Sequence, residues 1–148
     1  MNKGTALRFP FLHMLIIHGD ETRHVRAKAP ADFEFTIKAW QVITHAGTSP
    51  TYGRLKRPFT DRERGEAGGF RVTPTVLAAW ETTLDAARAL RVTAILFQCP
   101  ASFKATDENV AAMRWFFQTV ERPIGVRLLW EPRGAWPDER FRSSYTLT

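Results

Sequence analysis

Two amphipathic helix patterns set between short apolar runs constrain this chain more than any other feature of its sequence. Val76, Leu77, Trp80, Leu84, Ala87 and Leu90 recur at helical spacing behind Thr73-Pro74, a cap residue followed by a proline suited to the first helical position. Val110, Met113, Phe117 and Val120 form a second stripe behind Thr106-Asp107-Glu108, a cap with acids at the helix's positive end. Between the two helices lies TAILFQC, residues 93–99, nearly all apolar. Such a run predicts a strand covered on both faces. Ahead of the first helix, residues 33–42 alternate. Phe33, Phe35, Ile37 and Ala39 fall on one side of a strand, and Glu34, Thr36 and Lys38 on the other. Residues 123–130 read as a third strand, and residues 136–143 as the start of another helix. Strands alternating with amphipathic helices predict βαβ units and a parallel sheet.

In parallel α/β sheets, sites form at the C-terminal ends of the strands. All three predicted strands end in polar groups. Lys38 lies near the end of the first, with Trp40, Thr44 and His45 just beyond. Gln98 ends the second, on the face of Ala94 and Leu96. Glu131 ends the third, on the face of Arg127 and Leu129, and Arg133 follows. In neighbouring strands these side chains converge. Lys38 is then a partner for an anion or a carbonyl, and Glu131 either its ion-pair partner or a general base. Arg133 offers a planar fork for a carboxylate or phosphate. Gln98 and His45 complete the candidate ligand-binding set. Each has a plainer reading: a lysine snorkelling to water, a structural ion pair, a surface arginine, a loop histidine. No H-x-x-x-H, C-x-x-C or D-x-D spacing occurs, so no local motif supports a metal site or names a cofactor, and a carboxylate-and-His site gathered from several strands stays open.

The chain has 148 residues, 44% of them hydrophobic, enough for one domain with a core. Its net charge of +6 permits phosphate-bearing partners. Residues 47–70 read as one long loop rich in Gly, Pro and charge. Arg54, Lys56, Arg57, Arg62 and Arg64 there, with Arg71 just beyond, outnumber Asp61, Glu63 and Glu66. They make either a nucleic-acid contact or a solvated loop. The single cysteine, Cys99, excludes an intrachain disulfide and suits a reducing compartment, so the cytoplasm is the default location. It alternates away from Gln98 and is expected to pack as a structural thiol. The run FPFLHMLII, residues 9–17, is interrupted by Pro10 and His13 and is too short to span a bilayer. No membrane association is expected, and the run reads as a buried strand or as unsettled chain.

Three blocks carry a resemblance to a known family. They are APADFEFTIKAWQVITH, ILFQCPASFKATDENV and VRLLWEPRGAW. Their matching residues are Pro30, Phe33, Phe35, Lys38, Ala39, Ile43, Thr44 and His45; Gln98, Pro100, Ser102 and Phe103; and Glu131, Arg133 and Trp136. In this order they resemble the YecE-like family, domain of unknown function 72, from about Arg26 to Trp136. The resemblance implies a TIM-barrel fold and no assigned activity. The family's Gly-Trp-rich first strand and its E-x-N-x-T-F-Y-like second strand have no counterpart in residues 1–24, and its later strands are missing after Trp136. A complete barrel takes about 250 residues. The expectation is therefore a mixed α/β chain, a partial TIM-barrel-like parallel sheet with flanking helices, about half a barrel. Residues 1–25 would be an unmatched leader, poorly structured or one strand, and residues 26–148 the partial barrel domain.

Three functions follow from these readings. The first is an enzyme-like barrel relative with a small anionic ligand at the strand ends, Lys38 and Glu131 carrying any acid/base chemistry. The second is a nucleic-acid-binding module acting through residues 53–71. The third is an inactive, truncated fragment, or one that self-associates through open strand edges. Whether the chain is an enzyme stays open at this point.

Overall fold

The computed structural model describes residues 19–139. Helix α1 spans Gly19–Lys28, strand β1 Thr36–Lys38, helix α2 Asp61–Glu66, helix α3 Pro74–Leu90, strand β2 Ala94–Gln98, helix α4 Asp107–Thr119 and strand β3 Arg127–Glu131. A short 3-10 helix, Pro50–Arg54, lies between β1 and α2. The three strands form one parallel sheet in the order β1-β2-β3. The chain is thus mixed α/β, with an open parallel sheet and flanking helices.

The period-two pattern of the strands decides which face is buried. Ile37, Ile95, Phe97 and Cys99 are buried and share one core with Val76, Trp80 and Leu84 of α3 and Met113, Phe116 and Phe117 of α4. On the opposite face Thr36, Arg127, Leu129 and Glu131 are exposed, and Lys38, Leu96 and Gln98 are partly buried. Strand β2 was expected to be covered on both faces. Among the described residues only one face is fully covered. Ala94 and Leu96 are apolar whichever way they point, so the run hides its own alternation.

Phe70 sits at the centre of the core. Its ring lies 5.5–5.8 Å from the rings of Phe97, Phe103, Phe116 and Phe117. Segment 68–70 reaches that position by running beside residues 42–44. Gly68 N–H donates to Val42 O at 2.7 Å and Phe70 N–H to Ile43 O at 2.9 Å. Gly68 has φ +85°, and a Cβ there would collide with the backbone of His45 and Ala46. Only glycine satisfies both conditions without strain.

Two strand limits need correction. The first strand, expected over 33–42, is β1, only Thr36–Lys38. The alternation of buried and exposed residues persists from 35 to 39, but the ladder ends when Ala39 N–H donates to Leu96 O at 2.9 Å. The Trp40 N–H goes instead to Thr83 Oγ1 at 3.1 Å, and residues 40–45 close into a turn. The third strand starts at Arg127 rather than at 123, because Pro123 to Gly125 form a turn with Gly125 at φ +74°.

The long loop also contains structure. Thr60 caps α2 in a reciprocal box: its hydroxyl accepts from Glu63 N–H at 3.2 Å, and the Glu63 carboxylate accepts from Thr60 N–H at 2.8 Å. Glu66 then joins α2 to α3, accepting from the Thr75 hydroxyl at 2.6 Å.

Helix α1 crosses the boundary expected at residue 25, and the rest of the expected leader, residues 1–18, lies outside the described residues. At the far end of α1, Arg26 donates to the carbonyls of Phe33 at 2.8 Å and Ala31 at 2.8 Å, tying the helix to the approach of β1. Of the helix expected over 136–143, residues 138–139 are helical and 140–143 lie outside the described residues. No helix among the described residues is long and apolar enough to cross a membrane.

Candidate functional site

Parallel pairing sets the site. Gln98 and Glu131 are register partners at the ends of β2 and β3, and Lys38 ends β1 one strand away, paired with Leu96. All three side chains stand on the face that the helices leave open. Lys38 Nζ donates to Gln98 Oε1 at 3.0 Å, and Gln98 Nε2 donates to Glu131 Oε1 at 2.7 Å. An amide suits this place because it accepts on one side and donates on the other. The result is a polar ladder in which an ammonium and a carboxylate are held apart by a neutral bridge. Arg133 Nε lies 3.9 Å from the same Glu131 oxygen, an ion pair with side chains 60% and 47% exposed. An ion pair that open to water contributes little to stability. Its cation stays available to another anion.

His45 lies near enough to Arg133 for the guanidinium's charge to reach its ring. Its ring is half-buried, and Nδ1 lies 2.8 Å from the Thr44 hydroxyl. Burial lowers its pKa, the Gln41 carbonyl opposes that, and the positive charge of Arg133 lowers it further. The ring is therefore neutral at pH 7. Tyr52 secures the turn beneath it, donating to His45 O at 2.6 Å and to Gln41 O at 3.3 Å. Burial raises the pKa of that phenol. Tyr52 was not among the residues picked from sequence. Its only signal there is an aromatic in a polar segment; its ring packs on Phe59 with centroids 4.7 Å apart.

Trp40 does not join the ladder. Its indole Nε1 is buried with no hydrogen-bond partner among the described residues. Cys99 is buried behind the site, on the helix side of the sheet. Burial pushes its thiol up to about 12, outweighing the Trp130 indole N–H that donates to Sγ at 3.2 Å. A buried thiol this reluctant to ionise suits a packing role.

The basic segment is brought together differently from the ladder. Arg57 grips the Glu63 carboxylate with two nitrogens, at 2.6 and 3.1 Å. Arg62 Nε donates to Glu66 at 2.8 Å. The Arg57 guanidinium holds the Glu63 carboxyl down at about 2, with help from the Thr60 N–H. Arg54, Lys56 and Arg64 are exposed, with no ion pair among the described residues. Two of the five candidate phosphate contacts are thus already occupied in capping α2 and bracing it.

Two further features lie away from the ladder. An open groove of about 680 Å³ runs along α4, lined by Val110, Arg114, Trp115 and Gln118 among others. None of its lining residues belongs to the strand ends. Trp115 is 60% exposed there, although the tryptophans were expected to serve as core packing. Trp80 does meet that expectation and is almost fully buried, its indole donating to Glu121 O at 3.1 Å. Among the described residues no three His, Cys, Asp or Glu side chains gather as a metal-ligating group.

A family model described as protein of unknown function DUF72 matches residues 16–145. The match begins before α1, ten residues ahead of the stretch that carried the resemblance, and takes in every strand and helix described above. No curated protein and no solved structure matches the chain.

Proposed function

The chain belongs to the DUF72 family, and from that premise we propose that it binds a small anionic ligand at the C-terminal ends of its strands. The observation that carries the reading is the continuous ladder Lys38–Gln98–Glu131, assembled from three separate strands. The ligand's anionic group lies between the Lys38 ammonium and the Arg133 fork. Gln98 keeps Lys38 from being neutralised by Glu131, so the cation retains attraction for an incoming charge. His45, neutral at the rim, supplies a hydrogen bond to the ligand's polar end. Where the ligand carries an exchangeable proton, Glu131 is the group placed to take it and Lys38 the group that stabilises the resulting charge. That is acid/base chemistry of the hydrolase or lyase type. The assignment rests on these residues rather than on fold analogy.

We read the sheet as an arc of a TIM-type barrel. Three parallel strands, helices against one face, an open opposite face and polar groups at the C-terminal ends all support that reading. The open face would correspond to the barrel interior. The basic segment supports a nucleic-acid reading less well, since Arg57 and Arg62 are held by Glu63 and Glu66.

Calorimetric titration with inorganic phosphate and a panel of small organic carboxylates tests the site. A ligand should be found whose affinity falls at least about tenfold in Lys38→Ala and in Arg133→Ala, the loss typical of one charge-assisted hydrogen bond. Unchanged affinity in both variants would remove the assignment.

A further inference from the structure

Strand β3 has β2 on one side and no strand on the other among the described residues. Arg127 N–H donates to Thr93 O at 3.0 Å, and Glu131 O accepts from Cys99 N–H at 2.9 Å. Residues 127 and 131 therefore turn their peptide groups toward β2, and alternation along the strand turns those of Leu128 toward the open side. Open edges of this kind are pairing templates, and proteins commonly blunt or use them.

The sequence of this edge is complementary to itself. β3 reads RLLWE. An antiparallel copy centred on Leu129 sets Arg127 opposite the partner's Glu131, Leu129 opposite the partner's Leu129, and Leu128 opposite the partner's Trp130. Shifting the register by two residues either way loses the opposite charges, and shifting it by four sets Arg127 against Arg127 or Glu131 against Glu131. One register alone pairs unlike charges at both ends and apolar groups between, the combination that stabilises cross-strand neighbours. It is also the register in which Leu128, with its outward peptide group, falls in the hydrogen-bonded pair.

We propose that β3 is a homodimer edge, pairing antiparallel with β3 of a second copy of this chain about Leu129. Its side chains suit that use. Leu129 is 40% exposed, one of the few large apolar side chains among the described residues left in water. Arg127 is exposed and has no ion-pair partner among the described residues. Glu131 uses Oε1 for Gln98 and Arg133, so Oε2 can face the partner's Arg127. Trp130 keeps its indole on Cys99 and Trp136, on the helix side. Pro132 has no N–H to donate, which ends the pairing after five residues. The edge at β1 lacks this pattern: Thr36–Lys38 reversed about Ile37 would set Thr36 against Lys38. The inference does not depend on the ligand proposal, because its readout is mass and covalent capture.

The experiment is light scattering after size exclusion on the full chain over a concentration series. The expected species has twice the chain mass. Arg127→Glu should weaken the dimer about tenfold by creating two like-charge contacts, and Arg127→Glu with Glu131→Arg should recover it by exchanging the charges. Leu129→Cys should give a covalent dimer on mild oxidation, since directly opposed non-hydrogen-bonded residues lie within disulfide reach. Thr36→Cys should not. If a charge variant loses its circular-dichroism signal, the Leu129→Cys result decides alone. A monomer at every concentration, a dimer indifferent to Arg127→Glu, or capture through Thr36→Cys instead of Leu129→Cys would each overturn the proposal.

Discussion

Gln98 and Glu131 are joined twice, as register partners in the β2–β3 ladder and through a 2.7 Å hydrogen bond between their side chains. The same amide accepts from Lys38 at 3.0 Å. A single residue thus determines how far apart the opposite charges at the strand ends stand.

Replacing it separates the site from the fold. In Gln98→Leu the ladder loses its bridge, while the new side chain finds Leu96 and Leu129 as apolar neighbours on the same face. Each lost hydrogen bond is worth about 1 kcal/mol net, and less where water reaches the groups. Stability measured by urea unfolding should therefore stay within about 1 kcal/mol of the parent. Affinity for the anionic ligand should fall about tenfold in the same protein, as Lys38 and Glu131 become free to neutralise each other. A large loss of stability with unchanged binding would reverse these roles.

His45 couples the rim of the site to pH. Its folded pKa lies below the ordinary value of 6.5, chiefly through burial. The unfolded chain therefore binds this proton at a higher pH than the folded chain does. Stability rises with pH wherever the unfolded state holds more protons. The contribution is unaffected above 6.5 and is lost progressively as pH falls from there through the folded pKa. Urea midpoints recorded between pH 7.5 and 5 should decline more steeply in the parent than in His45→Asn. Parallel curves would mean that the ring titrates as it does in water.

These two sites show what was legible in advance. Lys38, Gln98 and Glu131 could be placed on one face because strand periodicity is local and their runs are unambiguous. The helices α3 and α4 were equally readable from their caps and stripes, and Thr73 and Thr106 do accept from Val76 and Asn109. The limits of β1 were not readable. They depend on Thr83, 43 residues away, capturing the Trp40 N–H that would have extended the strand. Helix α2 was missed although Thr60-Asp61-Arg62-Glu63 spells a capping box, because Gly and Pro on both sides dominated the segment. Phe70 as the hub of the core had no signal at all. Its role comes from four rings contributed by β2, by α4 and by the turn between them.

The support beneath His45 gives the last prediction. Gly68 is buried, holds φ +85° and lies against the His45 carbonyl, so Gly68→Ala faces two penalties together. A non-glycine residue at such a φ costs about 1–3 kcal/mol, and a clash with backbone cannot be relieved by a rotamer change. The expected loss is roughly 3 kcal/mol, read as a lower urea midpoint by circular dichroism. Gly53→Ala is the control: it has no neighbour within 4 Å and no positive φ, and should shift stability by less than about 0.5 kcal/mol. Because segment 68–70 carries Phe70 into the core on one side and runs beside residues 42–44 on the other, Gly68→Ala should also raise the His45 pKa toward 6.5 as its cover loosens. Equal midpoints for the two alanine variants would show that residues 68–70 do not pack against the His45 turn, and would take the rim of the site with them.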